Sequence, residues 1–487
     1  MTASADGEAG DWLQPGRTCW RTARADRFAV LLDNAAYFDA LDQALSRARR
    51  SVVILGWQFD PRTRLDPYDT GRDAEIGRRL RLMVRHNPDL DVRLLIWRSP
   101  ILIAASQGFY PHRAQAWFRK RIVEFRLDSP GPVGACHHQK AVIIDERLAF
   151  CGGGDIATDR WDTPEHLDDD PRRCMPSGLI APPRHETMCM FDGEAARAMA
   201  DLARERWFRA TWERTAPVEA DEDPWPEAVA PDLRDVPVAI ARTEPGWRGR
   251  AEVRENEALH LECIRRARRL IYFENQYFTS PLIAEALAER LREPDGPEVV
   301  LVSTGRSPSW FDSMTMDTAR AEVLYRLEQA DRHGRFYAFS PLTEDGERII
   351  VHAKVSIIDD ALLRIGSTNL NNRSMGFDTE CDVAAAPEDD AGRAFVRTFR
   401  HRSIAHFLGQ TAEAFGAVEA LEGSTGQAIQ KLSSGRMRLL GEDRPTALQQ
   451  TVAEWQLGDP VSTRDSFRPW LRRNRSQRPK TERIDVS

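Results

Sequence analysis

The chain has 487 residues, 41% of them apolar and 29% charged, ordinary usage for a folded soluble protein with room for two cores. No apolar run reaches the about 18 residues of a bilayer span, and Met1 to Asp11 carries acid where a secretory leader needs a basic and then an apolar stretch, so neither a membrane-embedded nor a secreted protein is expected. With 68 basic against 75 acidic residues the formal net charge is −7, which argues against nucleic acid as a partner, because enzymes of nucleic acid draw binding energy from a basic surface.

Residues 1–27 read as an N-terminal extension. A first unit over 28–215 alternates helix Ala40 to Arg50, strand Val52 to Trp57, helix Ala74 to Arg85 and strand Val92 to Trp97. It then reaches His138-Gln139-Lys140, the β-branched strand Ala141 to Ile144, the turn Asp145-Glu146-Arg147, the return strand Leu148 to Cys151 and the turn Gly152-Gly153-Gly154-Asp155. Residues 216–234 are an acidic, Pro-rich linker.

The unit over 235–418 repeats that order: helix Glu257 to Arg269, strand Ile271 to Phe273, helix Leu282 to Arg292 and strand Val299 to Ser303. It too ends in a hairpin, His352-Ala353-Lys354, strand Val355 to Ile358, Asp359-Asp360-Ala361, strand Leu362 to Ile365 and Gly366-Ser367-Thr368-Asn369. Arg47-Ala48-Arg49-Arg50 and Arg266-Ala267-Arg268-Arg269, each before a strand, mark the same duplication. The alternation predicts an α/β fold of two pseudo-symmetric halves with mixed sheets. Residues 419–487 form a C-terminal extension, partly flexible, whose basic end Arg472 to Lys480 reads as a solvated tail.

Strand geometry sorts the motif residues. Side chains two apart share a face, so His138 points with Lys140, and His352 with Lys354. Asp145 and Asp359 lie an odd number of positions from their histidines, on the opposite face and roughly 23 Å along an extended run. Both therefore read as structural residues that start turns and pair with a cation. The return strand brings the Gly-rich turn beside each His/Lys pair, and imidazole, ammonium and freed backbone N–H groups together suit a phosphate oxyanion. The seven cysteines are odd in number and lack framework or zinc spacing, including Cys136 beside the first motif, as expected of reduced thiols in a cytosol. Among thirteen Trp, Trp57 and Trp97 read as core, and Trp161, Trp247 and Trp310 as candidates for lipid contact.

The doubled His-x-Lys-x-x-x-x-Asp motif, each followed by a Gly-rich turn ending in Asp155 or Asn369, resembles the signature of the phospholipase D superfamily. Gly152 through Asp162, Gly366 through Ser374 with Glu380, and Phe273 through Phe278 resemble stretches of its phospholipase D and transphosphatidylase branch. The resemblance implies an active site at the interface of two α/β sandwich halves. It makes His138 the nucleophile that forms a phosphohistidine, and His352 the acid and then the base. Lys140, Lys354 and Asn369 would hold the phosphoryl oxygens, with Gly153, Ser367 and Asp155 at the substrate and Asp155 the least natural beside an anion. Glu380 would orient His138, and Glu186 would orient His352. His185 reads as structural. No metal or cofactor is required. The implied partners are a phospholipid at a membrane surface and water or an alcohol as acceptor, for a cytoplasmic protein that works peripherally on the membrane. Cardiolipin synthase, nuclease and non-catalytic phosphate binding are the alternatives; the first usually carries N-terminal membrane helices, which this chain lacks.

Overall fold

The computed structural model describes residues 12–71, 73–100, 110–119, 122–309, 312–441 and 458–460. Trp310 and the basic run Arg472 to Lys480 lie outside them. Among the described residues the strands form a 16-stranded mixed sheet with helices on both faces, and Arg184–His185 pairs in parallel with Ile350–Val351 in a separate two-stranded one. From the centre outward the first half runs Arg21–Leu32, Thr187–Asp192, Leu148–Gly152, Ala141–Ile144, Ser51–Gly56, Asp91–Trp97 and Glu124–Asp128. The second runs Leu233–Glu244, Glu380–Ala385, Leu362–Gly366, Lys354–Ile358, Leu270–Asn275, Glu298–Val302 and Phe336–Pro341. In each half the inner pairings are antiparallel and the outer two parallel, so the order of strands repeats about an axis between the two central ones.

The two halves share this sheet where separate sheets were expected. The join is the antiparallel pairing of Arg21–Leu32 with Leu233–Glu244, for example Thr22 opposite Ala239. Both strands cross boundaries read from composition, at 27/28 and 234/235. Arg21, Arg24 and Asp26 at the start of the first strand are exposed, so only backbone pairing makes that part a strand, whereas Phe28 to Leu32 and Val238 to Ala241 are buried. The chain beyond 419 likewise packs, as helix Thr425–Leu432 and strand Met437–Leu439 on the sheet edge.

Alternation along each strand feeds two layers. Phe28, Val30 and Leu32 enter a core shared by both halves, which also takes Met199 and Trp207 from helix Gly193–Thr211 and Phe399 and Phe407 from helix Asp390–Leu408. Ala29 and Leu31 face a first-half core with Phe38 and Leu41 of helix Asp33–Arg47. The second half has its own counterpart, with Leu287 of helix Pro281–Arg292 and Leu327 of helix Thr318–Ala330. Helix Pro281–Arg292 starts where its sequence says, with Pro281 in the first turn and the Ser280 side chain accepting from Ile283 N–H.

The motif hairpins close through two-residue turns. Asp145 and Glu146 both have φ of 53°, and Asp359 and Asp360 have 54° and 56°, the paired left-handed conformation that matches strand twist and that Asp tolerates. Asp145 accepts hydrogen bonds from the N–H groups of Arg49, Arg50 and Ser51 at 2.7–2.8 Å, and Asp359 from those of Arg268, Arg269 and Leu270 at 2.8 Å. The expected cation partner is thus replaced by backbone donors. Each Asp ties its hairpin to the Arg-Ala-Arg-Arg turn, which is why the two repeated sequences travel together.

Candidate active site

Each motif histidine is fixed by the opposite half. The backbone N–H of His138 donates to Thr379 O at 3.0 Å, while that of His352 donates to His185 O at 2.8 Å. The residue after each of these carbonyls is an acid, so the same crossing places Glu380 against His138 and Glu186 against His352. His138 Nδ1 is 2.9 and 3.0 Å from the two Glu380 carboxylate oxygens. His352 Nδ1 is 3.0 Å from Glu186 Oε1, a close polar contact off the line of a hydrogen bond. An Nδ1–H held by a carboxylate leaves Nε2 with its lone pair outward.

Glu380 is fully buried and also accepts from the hydroxyls of Ser367 and Ser374. Burial pushes its carboxyl up, against the pull of Lys140 and the two hydroxyls. Burial, then Lys140 and Lys354, push His138 well below the ordinary imidazole value. The same causes, burial, Lys354, Arg184 and Arg160, push His352 down. Both rings are therefore neutral near pH 7.

Each lysine folds back on the histidine of its own motif. Lys140 Nζ donates to His138 O at 3.0 Å and lies 3.5 Å from Asp155 Oδ2. Lys354 Nζ donates to His352 O at 2.6 Å and to Gln276 Oε1 at 3.2 Å, and burial lowers it to about 7. Asn369 is buried and its Oδ1 has no hydrogen-bond partner in the protein. Gly153 sits where a Cβ would come within 2.9 Å of His352 O and 3.0 Å of Glu186 Oε2, so a side chain there would push apart the acid and the histidine strand.

Two residues expected at the substrate face the protein. Asp155 Oδ1 accepts from Trp57 and Gln58 N–H at 2.9 and 3.1 Å, and its other oxygen faces Lys140, which removes the repulsion expected between this carboxylate and a phosphate. Ser367 gives its hydroxyl to Glu380 and is fully buried; it positions the acid. His185 is structural as expected, bridging Asp33 and Glu274 at 2.9 Å each. Trp97 is buried and stacks on half-buried Trp57 at 5.6 Å. Trp161 and Trp247 are half-buried, each under an arginine. Gln276 accepts from Lys354, Ser374 donates to Glu380, and the charges of Arg160 and Arg184 act on His352; Arg160, Gln276 and Ser374 lie in stretches that resemble the family, but the sequence assigns them no role.

A family model described as "Cardiolipin synthase, PLD-like domain" matches residues 260–401. Phospholipase D1 of Saccharomyces cerevisiae is 25% identical over 78% of this chain and 28% of its own length. Cardiolipin synthase A of Pseudomonas aeruginosa is 24% identical over 85% of this chain and 74% of its own. A solved phosphatidylserine synthase of Haemophilus influenzae Rd KW20 superposes with a TM-score of 0.57 at 12% identity, covering 92% of this chain and 96% of that one; the likeness is one of fold. The chain spans 28% and 36% of the length of the Saccharomyces cerevisiae and Schizosaccharomyces pombe phospholipases D1 that it matches. The family match over 260–401 and the phospholipases D and cardiolipin synthases among the relatives support the phospholipase D superfamily.

Proposed function

We propose that this protein cleaves or transfers the phosphatidyl group of a glycerophospholipid through a phosphohistidine, without a metal at phosphorus. The observation that carries the reading is the pair of crossed contacts, His138 with Glu380 and His352 with Glu186: two neutral, oriented imidazoles, each beside a buried lysine, supply a nucleophile and a proton carrier. His138 is the nucleophile. Its Nδ1 meets both oxygens of an acid held by two hydroxyls, so its Nε2 is the better aimed.

An anionic phosphodiester offsets the cations that hold His352 neutral, so the ring takes up a proton as substrate binds and gives it to the departing alcohol. Lys140, Lys354 and Asn369 hold the equatorial oxygens. His352 then deprotonates water or a second alcohol, which attacks phosphorus and releases His138. A lipid alcohol as acceptor is the second reading, favoured by the family description and by the 74% of cardiolipin synthase A that is covered.

Phosphatidylcholine, phosphatidylglycerol and single-stranded DNA, offered side by side, separate the classes. Choline or glycerol release with phosphatidic acid is expected from hydrolysis, cardiolipin with glycerol release from transfer onto phosphatidylglycerol. Nucleotide release alone would overturn the reading. The intermediate is tested with His352→Asn and a phosphatidyl substrate bearing a good leaving group: acid quench traps phosphate on the peptide containing His138. Label on His352 in His138→Asn, with none on His138 in the other variant, reverses the assignment.

A further inference from the structure

Behind the acid Glu186 lies a second cluster that this chemistry does not use. Asp33, His166, His185 and His406 each bring one ligand-type atom within 4.8 Å of the others. They come from the start of helix Asp33–Arg47, a loop, strand Arg184–His185 and the last turn of helix Asp390–Leu408. Asp33 and His185 are fully buried, and His166 nearly so.

Hydrogen bonds fix where the protons are. His166 Nδ1 is 2.9 Å from Asp162 Oδ2. That carboxylate also accepts from Arg184 N–H at 2.8 Å and lies 3.2 Å from Arg173 Nη1 through its other oxygen. His406 Nδ1 is 3.3 Å from Arg402 O, and a carbonyl can only accept. Both rings therefore carry hydrogen on Nδ1 and a lone pair on Nε2. Asp33 Oδ1 accepts from Glu186 N–H at 3.0 Å and from His185 Nδ1 at 2.9 Å, while Oδ2 remains. The three atoms left over, Asp33 Oδ2, His166 Nε2 and His406 Nε2, are buried without a hydrogen-bond partner, and Asp33 Oδ2 is 3.7 Å from His166 Nε2. These three acceptors face one another with no donor among them; His185, held protonated between Asp33 and Glu274, offsets the Asp33 charge through Oδ1 but donates to none of the three. Unanswered, each costs about 1–3 kcal/mol.

We infer that these three atoms bind one zinc ion, with water as the fourth ligand. Two neutral imidazoles and a carboxylate are a zinc donor set, and a carboxylate or carbonyl on each far ring nitrogen is the outer shell that orients ligating histidines. His185 is not a ligand, because both its nitrogens are occupied, by Asp33 and Glu274; it aims Asp33. Phe407 closes the site, with its ring centroid 4.9 Å from that of His185 and 5.9 Å from that of His166. The role is structural. Asp33 and His166 belong to the first half and His406 to the second, so the ion fastens the halves together directly behind Glu186, whose backbone O accepts from Asp33 N–H at 2.8 Å.

The test needs no turnover. Wild-type protein purified without added metal is assayed for zinc by mass spectrometry, stripped with a chelator, and titrated with Zn²⁺ and Co²⁺ while melting temperature and visible absorption are followed. One zinc per chain, a melt that falls on stripping and recovers with Zn²⁺, and Co²⁺ absorption bands of a four-coordinate site are expected. His406→Gln, whose folding is checked by circular dichroism, weakens Zn²⁺ binding by more than about a hundredfold, beyond the scale set by outer-shell changes, and removes the melt response; His166→Gln does the same. A wild-type melt indifferent to Zn²⁺, with no cobalt bands, overturns the inference. So does undiminished binding in both folded variants, which places the ion elsewhere.

Discussion

Lys354 is buried, and its hydrogen bonds go to an amide and a carbonyl oxygen, so its charge is incompletely offset until a phosphate arrives. Held at about 7 in the free protein, it is charged below that pH and neutral above. The proposed role needs the charged form, so kcat/KM, which reports the free enzyme, falls as pH rises through about 7. In kcat the same limb moves upward, because the bound phosphodiester anion favours the protonated amine. A pH profile whose basic limb sits at one pH in both parameters would show that Lys354 does not meet the phosphate. The low-pH limb belongs to the His138–Glu380 pair, which loses activity as it takes up a proton on Nε2 of the ring. Ser367→Ala and Ser374→Ala leave both histidines in place and loosen only the acid; they lower kcat by less than Glu380→Gln does.

At the scale of elements, the motif hairpin is a unit of stability as well as a carrier of catalytic groups. The Asp145 carboxylate is fully buried and holds three N–H groups, so Asp145→Asn costs about 2–3 kcal/mol, the scale of hydrogen bonds to a charged group. Asp359→Asn acts alike through Arg268, Arg269 and Leu270. Denaturant unfolding shows the loss, while kcat per folded molecule is retained at low temperature. A normally stable, inactive Asp145→Asn protein would place that carboxylate in the chemistry. The turns were legible because Asp follows a β-branched run; the partners were not, because backbone N–H groups carry no side-chain signature.

The whole molecule makes one site from one chain. His138 takes its acid from the second half and His352 from the first, and both precede strands of a single sheet continuous through Arg21–Leu32 and Leu233–Glu244. Exchange of halves between chains would require breaking that central pairing and the core shared across it. Mixing purified His138→Ala and His352→Ala therefore restores no activity above the sum of the two. Recovery on mixing would mean that the site assembles between molecules. Among the described residues no helix is long and apolar enough to cross a membrane.

The sequence by itself determined what is local or repeated. Period and β-branching showed the strands, the doubled His-x-Lys spacing set each ring beside its amine, and the repeat implied two α/β halves. Glu380 and Glu186 were legible only through resemblance to a family, and the structure supplies the reason they meet His138 and His352: the backbone of each histidine docks on the residue before the acid. Tertiary structure alone decided what depends on segments distant in the chain. It joined the halves in one sheet through two strands that lie outside the repeated pattern, turned Asp155 toward protein donors and Ser367 toward Glu380, and gathered Asp33, His166 and His406. Zinc patterns are found in sequence when neighbouring ligands share a helix or hairpin; here each donor comes from a different segment, and no spacing records that they face one another.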